Sequence, residues 1–490
     1  MLWQIPLPSF TPALPEIFLA LSILVLTLVG LFSGRHAFKV TYILSLIVVG
    51  ITLALVVVQP NTPRITFSGL FISDAFSIYA KIFITSTVGL ILVMVKSSLV
   101  QNELALFEYP ILILTSTLGM MLMVSANDLI SVFMAIELLS LSLYILIALK
   151  RKSVEASEAS LKYFILGALA TGILLYGISW IYGFSGTTNF EILARFLHNH
   201  ELQNIVFLVI GLTLILVGIA FKISAAPFHM WAPDVYHGTP IPIMVFLVSV
   251  PKFAAFMVVI RLLTDPFSTL MLHWSNVIMV LSIASMIIGA FAALTQQSIR
   301  RFIAYSSIGQ VGFALIGIML SNEMGYRATL TFLVFYLITI VGFMGGLVHL
   351  SRRGHAINTL ADLNGLGRHH PIISFCLGFF IFSLAGIPPL PGFLPKLMMI
   401  QSTVQHNYYG ISIVAVLYSV IAAAYYLMLI KAIFIDKPAR ADSAAAMFKT
   451  HDNESLIVTY SLLILLLGLM IFPNPFLSWT SRVTTSLTFF

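Results

Sequence analysis

Residues 214–236 read LILVGIAFKISAAPFHMWAPDVY: a greasy run carries Lys222 inward, and Pro227 interrupts the pattern soon after it. A charged side chain at the centre of a bilayer costs about 2.5–3.5 kcal/mol on insertion scales. Proline removes a backbone donor and clashes with the preceding turn. Unpaired backbone groups survive at membrane depth only inside protein or beside water. The stretch therefore reads as an interrupted membrane helix with a lysine near the interruption.

The rest of the chain has the composition that this reading needs. Of 490 residues, 59% are hydrophobic and 9% charged, with mean hydropathy +1.04; a soluble domain is about 25% charged. Apolar spans fall near 14–32, 40–58, 74–95, 109–126, 128–149, 160–182, 203–226, 240–263, 274–295, 301–320, 327–350, 372–400, 410–435 and 455–472. These are fourteen expected transmembrane helices, each long enough for a hydrocarbon core of about 30 Å. No small-residue cleavage site follows the first span, which reads as a retained helix. The longest gaps, 351–371 and 436–454, are too short for an extramembrane domain. The expectation is one all-α polytopic membrane domain over residues 1–490. Its parts are helices 1–3 (1–108), helices 4–8 (109–264), helices 9–13 (274–435), and helix 14 with a tail (455–490).

The net charge of +7 reflects placement rather than a ligand. Loops after odd-numbered spans hold fifteen lysines and arginines, and loops after even-numbered spans hold five, Arg261 among them. The positive-inside rule then puts the odd loops in the cytoplasm and both termini outside. Nucleic-acid binding needs no consideration. The single cysteine, Cys376, excludes a disulfide within the chain and a cysteine-ligated cluster on this chain alone. The 12 histidines show no HExxH or similar metal spacing, and neither GxGxxG nor a P-loop occurs. No metal site and no cofactor site is expected on this chain.

Five basic residues remain within the spans: Lys81, Lys162, Lys222, Lys252 and Lys396. Glu137 is the one acid expected deep in a helix. It lies nine residues after Asp128 and thirteen before Lys150, near mid-membrane. Desolvation raises a carboxylate's pKa and a neighbouring ammonium lowers it, so a group between the two influences can exchange protons. A static ion pair is the competing reading. Lys252 is also central, and Pro251 before it loosens the local hydrogen bonding. Lys81 and Lys162 lie only a few residues into their helices; snorkelling is favoured for Lys81, and composition leaves Lys162 open. His229 and His237 read as hydrogen-bonding to loop carbonyls. His349, at the end of the eleventh span, reads as part of a relay or as an interfacial residue.

Lys396 belongs to SLAGIPPLPGFLPKLMMIQ (383–401), whose glycines and prolines cannot continue an ordinary helix. Two interrupted helices, each with one lysine, mark a transporter built from two related halves. Glu137 precedes Lys222 by 85 residues and Gln310 precedes Lys396 by 86. That spacing supports two inverted five-helix repeats, helices 4–8 and 9–13, with helices 7 and 12 broken.

The segments FKISAAPFHMWAPDVYHGTPIP, RRFIAYSSIGQVGF, EASLKYFILGA and SLAGIPPLPGFLPK resemble the antiporter-like membrane subunits of respiratory NADH:quinone oxidoreductase, complex I. The resemblance runs through essentially all the spans and is greatest to subunit N. The chain stops soon after helix 14, unlike subunit L, and has Lys396 where subunit M generally has glutamate. The resemblance implies that Glu137 pairs with Lys222, that Lys162 matches the family lysine in SLKY, that Lys252 is a link, and that Lys396 faces the periplasmic exit. Many relatives have histidine at the position of Gln310, which orders water but does not titrate. It also implies that protons move outward through the bacterial cytoplasmic membrane beside other membrane subunits. FMN, iron–sulfur clusters and quinone are then expected in partner subunits. A subunit of a multi-subunit Mrp cation/proton antiporter is the alternative, and a membrane-bound hydrogenase module is a variant of it. A static scaffold is the reading from another class.

Overall fold

The asparagine and aspartate residues between apolar runs decide where the helices begin. Asp74 caps the helix Ala75–Gln101 through Ser77, and Asp128 accepts from the amides of Ile130 and Ser131. Ser153 and Asn322 cap their helices in the same way. Each cap satisfies amides that have no partner within the helix. Left-handed glycines end two helices: Gly186, at φ 72°, ends the one that Ser153 caps, and Gly386, at φ 77°, ends Pro371–Ala385.

The computed structural model describes residues 8–199, 205–351, 357–437 and 453–487. Of these residues, 83% are helical. In order, α1 is Leu14–Phe32, α2 Ala37–Val57, α3 Ala75–Gln101, α4 Glu108–Ser125, α5 Leu129–Ala148, α6 Val154–Ser185 and α7 Phe190–Asn199. Then come α8 Ile205–Ile223, α9 Trp231–Gly238, α10 Ile241–Val248, α11 Val250–Thr264, α12 Met271–Thr295, α13 Ile299–Met319 and α14 Glu323–Leu350. After the short α15, Leu366–His369, follow α16 Pro371–Ala385, α17 Phe393–Gln405 and α18 Tyr409–Phe434. The last two are the span Asn453–Ile471 and the helix Pro473–Leu487. Among the described residues, thirteen helices are long and apolar enough to cross a membrane, and α16 is a shorter apolar helix.

The core lies around the pair α10–α11, whose apolar window is wholly buried, and around α13 and α14. Outer helices such as α1, α2 and α18 bury only about a third of theirs. Both expected breaks are present. The seventh span stops at Ile223 and resumes at Trp231; the twelfth stops at Ala385 and resumes at Phe393. The eighth span, expected to be continuous, is divided at Ser249 (φ −110°, ψ −88°), where Pro251 follows and the Ser249 hydroxyl bonds to Val245 O.

Several features depart from the sequence reading. A two-stranded antiparallel hairpin, Arg64–Thr66 with Phe71–Ser73, interrupts an otherwise helical chain. The helices α7 and Pro473–Leu487 are too short or too polar to register as spans. Lys81 does not snorkel: it is fully buried, 2.6 Å from the buried Glu16 of α1. Because the first turn of α1 supplies a carboxylate inside the protein, the ammonium has no need to reach the interface. Glu16 is thus a buried acid at a helix start, whereas Glu137 lies in the middle of its helix. Arg261 is not a loop residue either. It lies in the last turn of α11, buried, 2.7 Å from the buried Asp74, with its guanidinium 5.2 Å from the Phe76 ring. Burial alone would raise the Asp74 carboxyl, but Arg261 and Ser77 together hold it below the usual carboxylate range. Of the loop cations counted above, Arg352, Arg353, Arg440 and Lys449 lie outside the described residues, as do residues 1–7 and 488–490 at the termini.

The Asp74–Arg261 pair ties the start of α3 to the end of α11. Arg261→Leu leaves a buried carboxylate without its cation and should cost about 3–5 kcal/mol. The double variant Asp74→Asn/Arg261→Leu should recover most of that loss, as read from thermal melting of the purified protein.

Candidate functional site

The two helix breaks leave backbone groups inside the protein, and neighbouring side chains take them up. At the first, Ala225 N donates to Ala220 O (2.8 Å), Ala226 N to Ser285 Oγ of α12 (2.8 Å), and Trp231 Nε1 to Phe221 O (2.9 Å). Trp231 stacks on Tyr163 with ring centroids 4.4 Å apart, which fixes α9 against α6. At the second break, α16 ends at Ala385, so the carbonyls of Leu384 and Ala385 have no amide one turn further on. Lys396 Nζ fills that role, donating to both at 2.9 Å. The lysine folds back from α17 across the gap, packed on Gly386.

The other central lysines are held by hydroxyls. Lys222 Nζ donates to Ser140 Oγ of α5 at 2.7 Å, with the rings of Tyr144 and Phe221 beside it. Lys252 Nζ donates to Ser307 Oγ of α13 at 2.8 Å and lies 5.3 Å from the Tyr236 ring centroid. Glu137 stands one turn before Ser140. It forms no ion pair among the described residues, and its Oε1 is buried without a hydrogen-bond partner. The resemblance's pairing of Glu137 with Lys222 is therefore not a direct contact in this structure, where Ser140 holds the lysine.

Gln310 Nε2 donates to Leu384 O (3.0 Å) and to Tyr426 OH (3.3 Å). A carbonyl only accepts, so the amide nitrogen must face Leu384. The same Leu384 carbonyl thus receives hydrogen bonds from Gln310 and Lys396. Two narrow cavities follow this line, each of roughly one water's size. One reaches from Lys252 to Gln310, the other from Gln310 to Lys396.

Two expected site residues stand apart from this row. Lys162 is 43% exposed and bonds to Glu158 (2.8 Å) and Asp234 (2.9 Å); Asp234 also holds Arg301 (3.1 Å). This cluster joins α6, α9 and α13 at one surface, where Arg300 also donates to His237 O and His237 Nδ1 meets Ser298 Oγ. His349, buried at the end of α14, meets Ser455 Oγ of the span Asn453–Ile471 at 3.1 Å. The sequence reading missed Ser140, Ser307, Tyr426 and the Leu384 and Ala385 carbonyls. Ser140 had a faint signal, as a hydroxyl one turn from a mid-membrane acid; a backbone carbonyl has none.

Residues 126–422, which carry both breaks and all three central lysines, match the family model described as NADH:quinone oxidoreductase/Mrp antiporter, TM. The chain belongs to this family. It is 41% identical over 94% of its length to NADH-quinone oxidoreductase subunit N of Nitrosomonas europaea, covering 96% of that protein. It is 44% identical over 87% of its length to the subunit N of Rhodospirillum rubrum, covering 88% of it. Among solved structures it is similar to a chain of respiratory complex I from Thermus thermophilus with bound aureothin, at TM-score 0.76 and 28% identity. That match covers 95% of this chain and 98% of that one. A chain of the Mrp complex from Dietzia sp. DQ12-45-1b superposes with TM-score 0.83 at 21% identity, with 98% of each covered, and speaks to the fold alone.

A methyl group at Gly386 would lie 2.7 Å from Lys396 Cδ and 3.0 Å from its Nζ, at a φ of +77°. Gly386→Ala should therefore strain the turn by about 1–3 kcal/mol and displace the lysine from its carbonyls. The expected outcome is a lower melting temperature than for Gly410→Ala, where a methyl group meets open space.

Proposed function

We infer that this chain is an N-type membrane subunit of NADH:quinone oxidoreductase, seated in a bacterial cytoplasmic membrane among other membrane subunits. It moves protons outward, driven by redox chemistry in its partners, which hold the FMN, the iron–sulfur clusters and the quinone. The relatives named subunit N, 39–44% identical over most of the chain, support this assignment over the Mrp antiporter.

One observation carries the mechanism: the buried cations fall into two kinds. Lys81 and Arg261 rest directly on carboxylates and read as fixed clamps. Lys222, Lys252 and Lys396 rest on neutral oxygens. Ser140 and Ser307 give their own hydrogens to Ile136 O and Ala304 O, so each accepts from its lysine, and an ammonium or a neutral amine can supply that N–H. A neutral amine also keeps two N–H bonds, enough for the Leu384 and Ala385 carbonyls. Each cradle therefore tolerates both states of its lysine, as a proton carrier requires. Glu137, close to Lys222 without contact, favours the protonated lysine while it is ionised and releases it when neutralised. The proton then passes by Lys252, Ser307 and Gln310 to Lys396 and outward, with Lys162 on the cytoplasmic entry side.

The architecture fits fourteen crossings and two inverted repeats, α4–α11 and α12–α18. The isolated bridges Asp128–Asn189 and Ser298–Thr359 support that division, each joining the start of one helix to the loop after the next. Glu137 follows Asp128 by nine residues, and Ser307 follows Ser298 by the same step. On this register Ser307, the partner of Lys252, stands where Glu137 stands, and Gln310 corresponds to Ser140. The lysines are not strict counterparts either: Lys222 precedes its break and Lys396 follows its own.

Lys222→Met, Lys252→Met or Lys396→Met in the assembled complex should lower the protons moved per NADH in proteoliposomes. NADH oxidation with an artificial electron acceptor, which belongs to the partner subunits, should persist. Undiminished pumping in all three variants would refute the assignment. For orientation, alkaline phosphatase fused after residue 490 should be active and a fluorescent protein at the same place dark.

A further inference from the structure

The row of proton-carrying groups has a weak point at Gln310. An amide carries a proton only by passing through a high-energy tautomer, and both N–H bonds of Gln310 are already committed to Leu384 O and Tyr426 OH. Lys252 and Lys396 lie on opposite sides of it, each in its own small cavity. Three side chains line both cavities: Gln310, Phe332 and Tyr336. Phe332 has no polar atom and packs against the Tyr336 ring at 6.4 Å, nearly parallel. The Tyr336 hydroxyl, by contrast, is buried and makes no hydrogen bond of normal geometry among the described residues, with only the Ser307 hydroxyl near enough to compete for it. It lies beside Ser307, the residue that holds Lys252, and near Tyr426, which holds Gln310.

A buried hydroxyl without a well-formed partner is costly, and water is the partner that a one-water cavity also lined by Gln310 and a lysine supplies. A hydroxyl both donates and accepts, unlike a carbonyl or an ammonium. We propose that the Tyr336 hydroxyl is the relay joining water on the Lys252 side to water on the Lys396 side. As a proton arrives from the first water, a new O–H bond forms on Tyr336 Oη. The original O–H bond breaks towards the second water. The phenol ends as it began, with no net charge, and the hydroxyl turns back before the next transfer. Gln310 serves as the post that holds Leu384 O and Tyr426 in place beside this path.

The inference rests on the lysine row proposed above, and its test separates the two. Tyr336→Phe keeps the ring against Phe332 and removes only the oxygen; Tyr336→Leu removes both. Both are made in the full complex, with assembly checked on native gels, and protons moved per NADH are measured in proteoliposomes beside Lys252→Met. A relay predicts that Tyr336→Phe loses as much coupled pumping as Tyr336→Leu, about tenfold or more in rate. Tyr336→His, which restores a group that donates and accepts, should recover part of it. A packing role predicts that Tyr336→Phe pumps normally while Tyr336→Leu does not. Normal pumping by Tyr336→Phe with impaired Lys252→Met overturns the relay and leaves the lysine row standing. Normal pumping by both overturns the relay and the row together.

Discussion

A cation inside hydrocarbon must find oxygen, and this protein finds it in three ways. Carboxylates hold Lys81 and Arg261, serine hydroxyls hold Lys222 and Lys252, and the exposed carbonyls of an ended helix hold Lys396. A carboxylate makes a strong, polarised contact that ties distant helices together. A neutral oxygen satisfies the nitrogen without deciding its charge.

The interrupted helices follow from the same need. An intact helix spends one lone pair of each carbonyl on its own amides, so it has less to offer a lysine than a helix end has. Ending α16 at Ala385 frees two, and Lys396 reaches back to them from the far side of the gap. The earlier break is managed differently: Trp231, Ser285 and the local turn take its backbone groups, and Lys222 turns to α5 instead. Two similar sequence features thus produce two different local solutions. The aromatic packing of Tyr163, Phe221 and Trp231 makes the first break rigid.

Much of this was legible in the residues. Apolar length located the spans, Pro227 located the break at 224–230, and clustered proline and glycine located the one at 386–392. The rarity of mid-span charge singled out Glu137, Lys222, Lys252 and Lys396. What stayed hidden was pairing across the chain. Glu16 and Lys81, or Asp74 and Arg261, lie too far apart in sequence for any local pattern to join them, and each member sits near a helix end where snorkelling is the default. The serine partners were hidden for another reason. Ser140 and Ser307 look like many membrane serines that bond to their own helix, and only the approach of a lysine distinguishes them. The spacing from Glu137 to Lys222 and from Gln310 to Lys396 could not show that Lys222 precedes its break while Lys396 follows its own.

The two small bridges, Asp128–Asn189 and Ser298–Thr359, bear on how motion enters such a protein. They sit at the starts of α5 and α13, the helices whose serines cradle Lys222 and Lys252. Each bridge fastens the start of its helix to the loop that follows the next helix. A helix fastened at its end to the adjoining loop keeps its height in the membrane. Glu137, Ser140, Ser307 and Gln310 are then fixed like rungs, and the parts left to move between them are lysine side chains, hydroxyl hydrogens and water.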